Sequence, residues 1–149
     1  MPHDAQRVAD TTSWLQRVEG DLRAAEVDLA AHPPLFGDAA FHCQQAAEKT
    51  VKAFLTWHDL PFRRTHDLTE LGRQCASLDA SIEPICQRIE PLTAYAWVFR
   101  YPGAVEEPDR EDVEQALALA REVYAAVLSR LPAETRPSAQ EPPAEPDSP

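Results

Sequence analysis

The only two lysines of this 149-residue chain, Lys49 and Lys52, fall on one predicted helix beside Gln45. Positions 45, 49 and 52 recur at i, i+4 and i+7, which sets the three side chains along one side of a helix, and Glu48 stands one turn before Lys52 as an ion-pair partner. Arg63, Arg64 and His66 add basic character just downstream. A local positive patch suits an anionic ligand such as a nucleotide or an RNA backbone. A solvated helix face followed by a polar loop accounts for the same residues without any ligand. Arg100 and Tyr101 stand just before Pro102-Gly103. A cation at a helix C-terminus is favoured by the helix dipole, which is one reason for Arg100. The other is phosphate contact through the guanidinium fork, with Tyr95, Trp97 or Tyr101 near enough to stack on a base.

Signals for other chemistry are weak. No P-loop, GxGxxG, HExxH or GxSxG string occurs, and the histidines His3, His32, His42, His58 and His66 are scattered. His42 and Cys43 are adjacent on a helix, where side chains diverge by about 100°, so they do not share a metal. Cys43, Cys75 and Cys86 form no CxxC pair and read as buried free thiols in a reducing compartment. No metal or cofactor is expected.

Helices must position these groups. Leu15, Val18, Leu22, Ala25 and Leu29 step by three and four, with Trp14 widening the stripe; Thr11, Thr12 or Ser13 would cap this first helix and His32-Pro33-Pro34 would stop it. Gly37-Asp38 starts a second helix running to about His58, with Ala40, Cys43, Ala47, Val51 and Phe54 inward. Asp67 and Glu70 resemble a capping box for a short third helix to about Ala76. Ile82, Ile85, Ile89, Leu92, Ala96 and Phe99 mark a fourth, which Pro91 should kink or split. Val113, Leu117, Ala120, Tyr124, Val127 and Leu131 mark a fifth. The predicted fold is all-α, an antiparallel up-and-down bundle of four long helices plus one short helix.

Composition sets the frame. Twenty-five acidic against 14 basic side chains give a formal charge of −11, against a surface that clings everywhere to nucleic acid. The stretch 132–149 holds four acids, one Arg and six prolines, and its only apolar residues are three alanines. It reads as a disordered acidic tail after a helical domain over 1–131. No apolar run approaches a membrane span and the N-terminus is too polar for a signal peptide, so no membrane partner and a cytoplasmic location are expected.

Phe41-His-Cys-Gln-Gln-Ala-Ala-Glu-Lys49, then Thr65-His-Asp-Leu68, then Tyr95 leading to Arg100-Tyr-Pro102, in that order, resemble the HEPN domain, the higher eukaryote and prokaryote nucleotide-binding domain. The resemblance spans roughly Trp14 to Leu131. It implies an all-helical bundle, usually homodimeric, often encoded beside a minimal nucleotidyltransferase in toxin–antitoxin or defence modules. Many members are metal-independent endoribonucleases with an Arg followed four to six residues later by His. The Arg supports phosphate or the transition state, and the His performs acid–base cleavage with the RNA's own 2′-hydroxyl.

Here Arg100 is followed by YPGAVEEPDREDV, which contains no His. Glu106 and Glu107 are poorer acid–base groups near neutral pH. The expectation is therefore a noncatalytic module that binds nucleotide or RNA and acts with a nucleotidyltransferase-like partner. Lys49, His66, Arg100 and Tyr101 fall on motif positions, and Lys52 and Arg64 join them through the charge argument. One alternative is a ribonuclease using Arg100 with His66. Another is a structural dimerisation or adaptor domain, for which Trp97 and Val98 supply apolar surface beyond the fourth stripe.

Overall fold

A computed structural model describes residues 2–98, 102–103 and 106–138. It contains helices α1 (Ala5–Ala30), α2 (Phe36–Trp57), α3 (Leu68–Leu78), α4 (Glu83–Ile89) and α5 (Arg110–Leu128), with 3-10 segments at Ala80–Ile82, Glu90–Ala96 and Ala133–Thr135. Among the described residues there is no strand, and the all-α bundle expected from the stripes is the fold observed.

Fourteen residues of α2 are buried, which makes it the central helix. Ala39, Ala40, Ala46, Ala47 and Ala53 are fully buried on it. Their small side chains let α1, α3, α5 and the Glu90–Ala96 segment all pack against one helix. Leu15 and Val18 of α1, Val51, Phe54 and Leu55 of α2, Leu71 of α3, Ile89 of α4 and Val123 of α5 fill the core. Cross-helix pairs give the directions. His42 lies within 3.9 Å of Asp28 and Lys49 within 2.6 Å of Asp21, so α2 runs antiparallel to α1. Arg110 reaches the Leu29 carbonyl while Tyr124 donates to Glu19, so α5 is antiparallel to α1 as well.

The expected elements are altered at three ends. α1 begins at Ala5, not near Thr12, because Asp4 caps it by accepting from the Arg7 amide at 2.8 Å. Thr12 and Ser13 donate instead to the Val8 and Ala9 carbonyls inside the helix. At α3, Asp67 caps as expected, accepting from the Thr69 amide, but Glu70 does not complete a capping box; its carboxylate takes both guanidinium bonds of Arg63. The fourth helix is not one long α-helix. Pro91 cannot donate back along an α ladder, and from Glu90 to Ala96 the chain tightens into 3-10 turns. Ile82, Ile85, Ile89, Leu92 and Ala96 still bury as one stripe. Phe99, Arg100 and Tyr101 lie outside the described residues.

The stretch after Leu131 does not begin as a free tail. Ala133–Thr135 packs against α1, with Thr135 fully buried and its hydroxyl donating to the Pro132 carbonyl. The folded unit therefore extends past the expected boundary at 131, and 139–149 lie outside the described residues. Among the described residues no helix is long and apolar enough to cross a membrane.

Candidate functional site

Glu48 is buried in the middle of α2, 3% exposed. A buried carboxylate must be matched by donors, and three side chains supply them. Gln44 donates to Oε1 at 3.1 Å, His66 Nδ1 lies 2.7 Å from the same oxygen, and Lys52 Nζ donates to Oε2 at 3.0 Å. Because a carboxylate only accepts, the His66 proton toward it sits on Nδ1. That leaves Nε2 as the free ring nitrogen on a side chain that is 57% exposed. Gln44 is itself fully buried and accepts from Gln45 at 2.6 Å. Lys52 is 8% exposed, and its ammonium lies 5.8 Å from the Trp14 ring centroid and 5.7 Å from that of Phe62. Aromatic faces there take over part of the lost hydration.

Lys49 belongs to a second cluster. Its ammonium donates to Asp21 Oδ2 at 2.6 Å, and His42 Nδ1 lies 3.0 Å from Asp21 Oδ1. On the far side of that imidazole, Asp28 Oδ2 is 3.9 Å from Nε2, buried and without a hydrogen-bond partner. Burial pushes the Asp28 carboxyl above its ordinary value, with His42 opposing and Asp38 adding to the rise. A groove of about 470 Å³ opens beside Lys49, lined by Ser13, Gln16, Arg17, Gly20 and Asp21.

The Thr65-His-Asp-Leu68 turn is a local lock. Thr65 Oγ1 accepts from the Asp67 amide, Asp67 caps α3, and the Leu68 amide donates to Thr93 of the 3-10 segment at 3.1 Å. The turn thereby fixes His66 over α2 and ties it to the segment that leads toward Arg100.

The structure brings Lys52 and His66 together on Glu48 and sets Lys49 apart on Asp21. The open positive strip expected at Gln45, Lys49 and Lys52 is absent, because each lysine has its own buried or half-buried carboxylate. The Glu48 to Lys52 pair was foreseen; the reach of Lys49 to α1 was not. Arg64 is exposed and forms no ion pair among the described residues, whereas Arg63 is held by Glu70. Arg100 and Tyr101 lie outside the described residues. Sequence reasoning missed Asp21, Gln44 and Glu48 as organising groups. Their signal was present: Asp21 falls at the stripe spacing between Val18 and Ala25, and Gln44, Glu48, Val51 and Leu55 step by four, three and four. A polar residue inside an apolar stripe is a buried polar residue that needs partners.

The HEPN domain family matches residues 11–131 of this chain. A protein of Methanocaldococcus jannaschii named "Putative toxin MJ1304" is 31% identical over 126 residues, covering 74% of this chain and 80% of that protein. No solved structure gives a significant match.

Two stability measurements check this geometry. Glu48→Ala removes the only carboxylate paired with Lys52 among the described residues, and urea melts are expected to show a loss of about 3 kcal/mol. Glu48→Leu combined with Lys52→Met is expected to lose much less than the sum of the single changes. For Asp28 the folded carboxyl holds its proton to higher pH than the unfolded one, so the ionised form opposes folding above the folded value and the opposition vanishes once both states are protonated. Asp28→Asn is therefore expected to raise the urea midpoint at pH 7, with the gain fading as pH falls through the raised folded value and gone by about pH 3; an equal gain at pH 7 and at pH 3 would contradict the assignment.

Proposed function

This chain belongs to the HEPN domain family, and from that premise we propose that it is the toxin-type, noncatalytic component of a two-protein module, binding nucleotide or RNA phosphate and acting with a nucleotidyltransferase-like partner. The observation that carries this reading is the closed network on Glu48. Gln44, Gln45 and Glu48 of the Gln-Gln-Ala-Ala-Glu-Lys motif bond to one another, to Lys52 and to His66, while its Lys49 is held by Asp21, so these groups build the scaffold of a binding face and leave no free acid–base pair inside it. The sequence after Arg100 agrees, since no His follows it as far as Val113. The toxin character rests on the likeness to the archaeal protein of that name.

Phosphate contact then falls to groups at the surface. Arg64 is unpaired among the described residues and His66 presents Nε2; Arg100 and Tyr101, outside the described residues, join them by motif position alone, as a guanidinium and a stacking ring. Lys49 and Lys52 hold the helices beneath them. A homodimer in the cytoplasm is part of the proposal, and the exposed Leu35 and Trp97 support a further protein contact.

One observation favours a second reading, a metal-independent ribonuclease. A histidine whose Nδ1 is fixed on a buried carboxylate while Nε2 faces solvent is arranged as a surface general base. Arg100 would supply the phosphate contact.

Titration of the purified protein with ATP, GTP and a short RNA at low salt tests the first reading. RNA binding is expected to weaken with salt at a log–log slope of about −1.4 for two phosphate contacts. Arg64→Ala and Arg100→Ala should each weaken it several-fold, and Lys49→Met should change it little. No RNA binding at low salt together with none at millimolar nucleotide would overturn it. The second reading predicts growth arrest on expression without a partner, relieved by His66→Asn and by Arg100→Ala in proteins that remain helical by circular dichroism. Arrest that survives both substitutions removes it.

A further inference from the structure

Cys75 and Cys86 are 11 positions apart in sequence, yet they meet where α3 packs on α4. Both are buried, at 0% and 2% exposure, in one core cluster at this helix contact, with Cys75 one turn beyond the Gly72 that abuts Cys86. Cys75 Sγ also lies 3.7 Å from the Val51 carbonyl oxygen. The helices approach closely because Gly72 lacks a side chain: a β-carbon there would sit 3.2 Å from Cys86 Cβ.

The two thiols are not equivalent. Cys86 lines a groove of about 410 Å³ together with Gly72, Arg73, Ala76, Glu83 and Glu90, so a small reagent has a route to its side. The neighbouring Cys75 thiol, and then the charge of Arg130, lower the Cys86 thiol below its ordinary value, against burial and the carboxylates Glu90 and Glu83. Arg130 is fixed in place by Asp79, Ser81 and the Ala126 carbonyl. Cys75 is shifted upward by its contact with Cys86 and by burial. Cys43 sits apart on α2, pushed up to about 12 by burial.

We propose that Cys86 and Cys75 form a peroxide-sensitive dithiol, with Cys86 as the attacking sulfur, Cys75 as the resolving one, and a disulfide between α3 and α4 as the product. The Cys86 thiolate attacks one oxygen of a hydroperoxide; the sulfur–oxygen bond forms, the oxygen–oxygen bond breaks, and the leaving oxygen takes up a proton. With hydrogen peroxide this yields Cys86 sulfenic acid and water. Cys75 then attacks that sulfur, the sulfur–oxygen bond breaks, and the hydroxyl leaves as water with the Cys75 proton. Two thiols and one peroxide become one disulfide and two waters. The bond ties the helix capped by the Thr65-His-Asp-Leu68 turn to α4, so oxidation stiffens the frame around His66. This inference does not depend on the ligand reading.

The test exposes folded protein to hydrogen peroxide and maps cysteine peptides by mass spectrometry, with dimedone present to trap sulfenic acid. In the wild type a Cys75–Cys86 linked peptide is expected, reversed by dithiothreitol, with a melting midpoint about 5 °C higher when oxidised. Cys75→Ser should carry the dimedone adduct on Cys86, Cys86→Ser should give neither link nor adduct, and Cys43→Ser should behave as wild type. Should the serine variants misfold, the wild-type link alone decides. Both thiols remaining free in folded protein, under conditions that oxidise the urea-unfolded chain, overturns the proposal, as does a link that involves Cys43.

Discussion

A carboxylate buried inside a helix bundle is tolerable only if donors surround it, and Glu48 imposes that condition on the rest of this fold. It stands in the buried middle of α2. Gln44 and Lys52 meet it from the same helix, and His66 comes from a loop 18 positions away. Without His66 one oxygen would lose its shortest bond, so the loop must close over α2. The Thr65-His-Asp-Leu68 turn is how it closes: one residue turns the chain, one reaches Glu48, one caps α3, and one buries while bonding the next segment. The motif is thus a packing device, and the exposed side of its His66 ring is a by-product available for function.

The same condition recurs on α1, where Asp21 answers Lys49 and His42. Together the two clusters turn the basic strip of α2 into an internal charge lattice. A buried ion pair is weak evidence for net stability but strong evidence for register, since slipping either helix by one turn would strand a charge. This chain therefore uses its only lysines to fix how α1, α2 and the loop align.

Much of the fold was legible in the sequence. The stripes from Leu15 to Leu29, Ala40 to Phe54 and Val113 to Leu131 are patterns of local period, and a helix reports its buried face through that period alone. Pro91 correctly marked a break, because its missing donor acts wherever it stands. Thr12 and Ser13 misled, because a hydroxyl that caps in one setting donates back to a carbonyl in another, and which happens depends on where the chain first packs. Thr135 was hidden for the same reason: the composition around it is that of an unfolded tail, and only contact with α1 holds it.

The sequence by itself determined the helices, their inward faces, the motif order that marks the HEPN family and the absence of a histidine after Arg100. Tertiary structure alone decided which carboxylate each lysine meets, that His66 faces Glu48, and that Cys75 and Cys86 touch. The division is physical. Helical periodicity is set by residues three and four apart, whereas the partner of a charge 18 or 28 positions away is chosen by how whole helices pack. Polar residues inside an apolar stripe announce that such a partner must exist, and only the packed bundle says which residue it is.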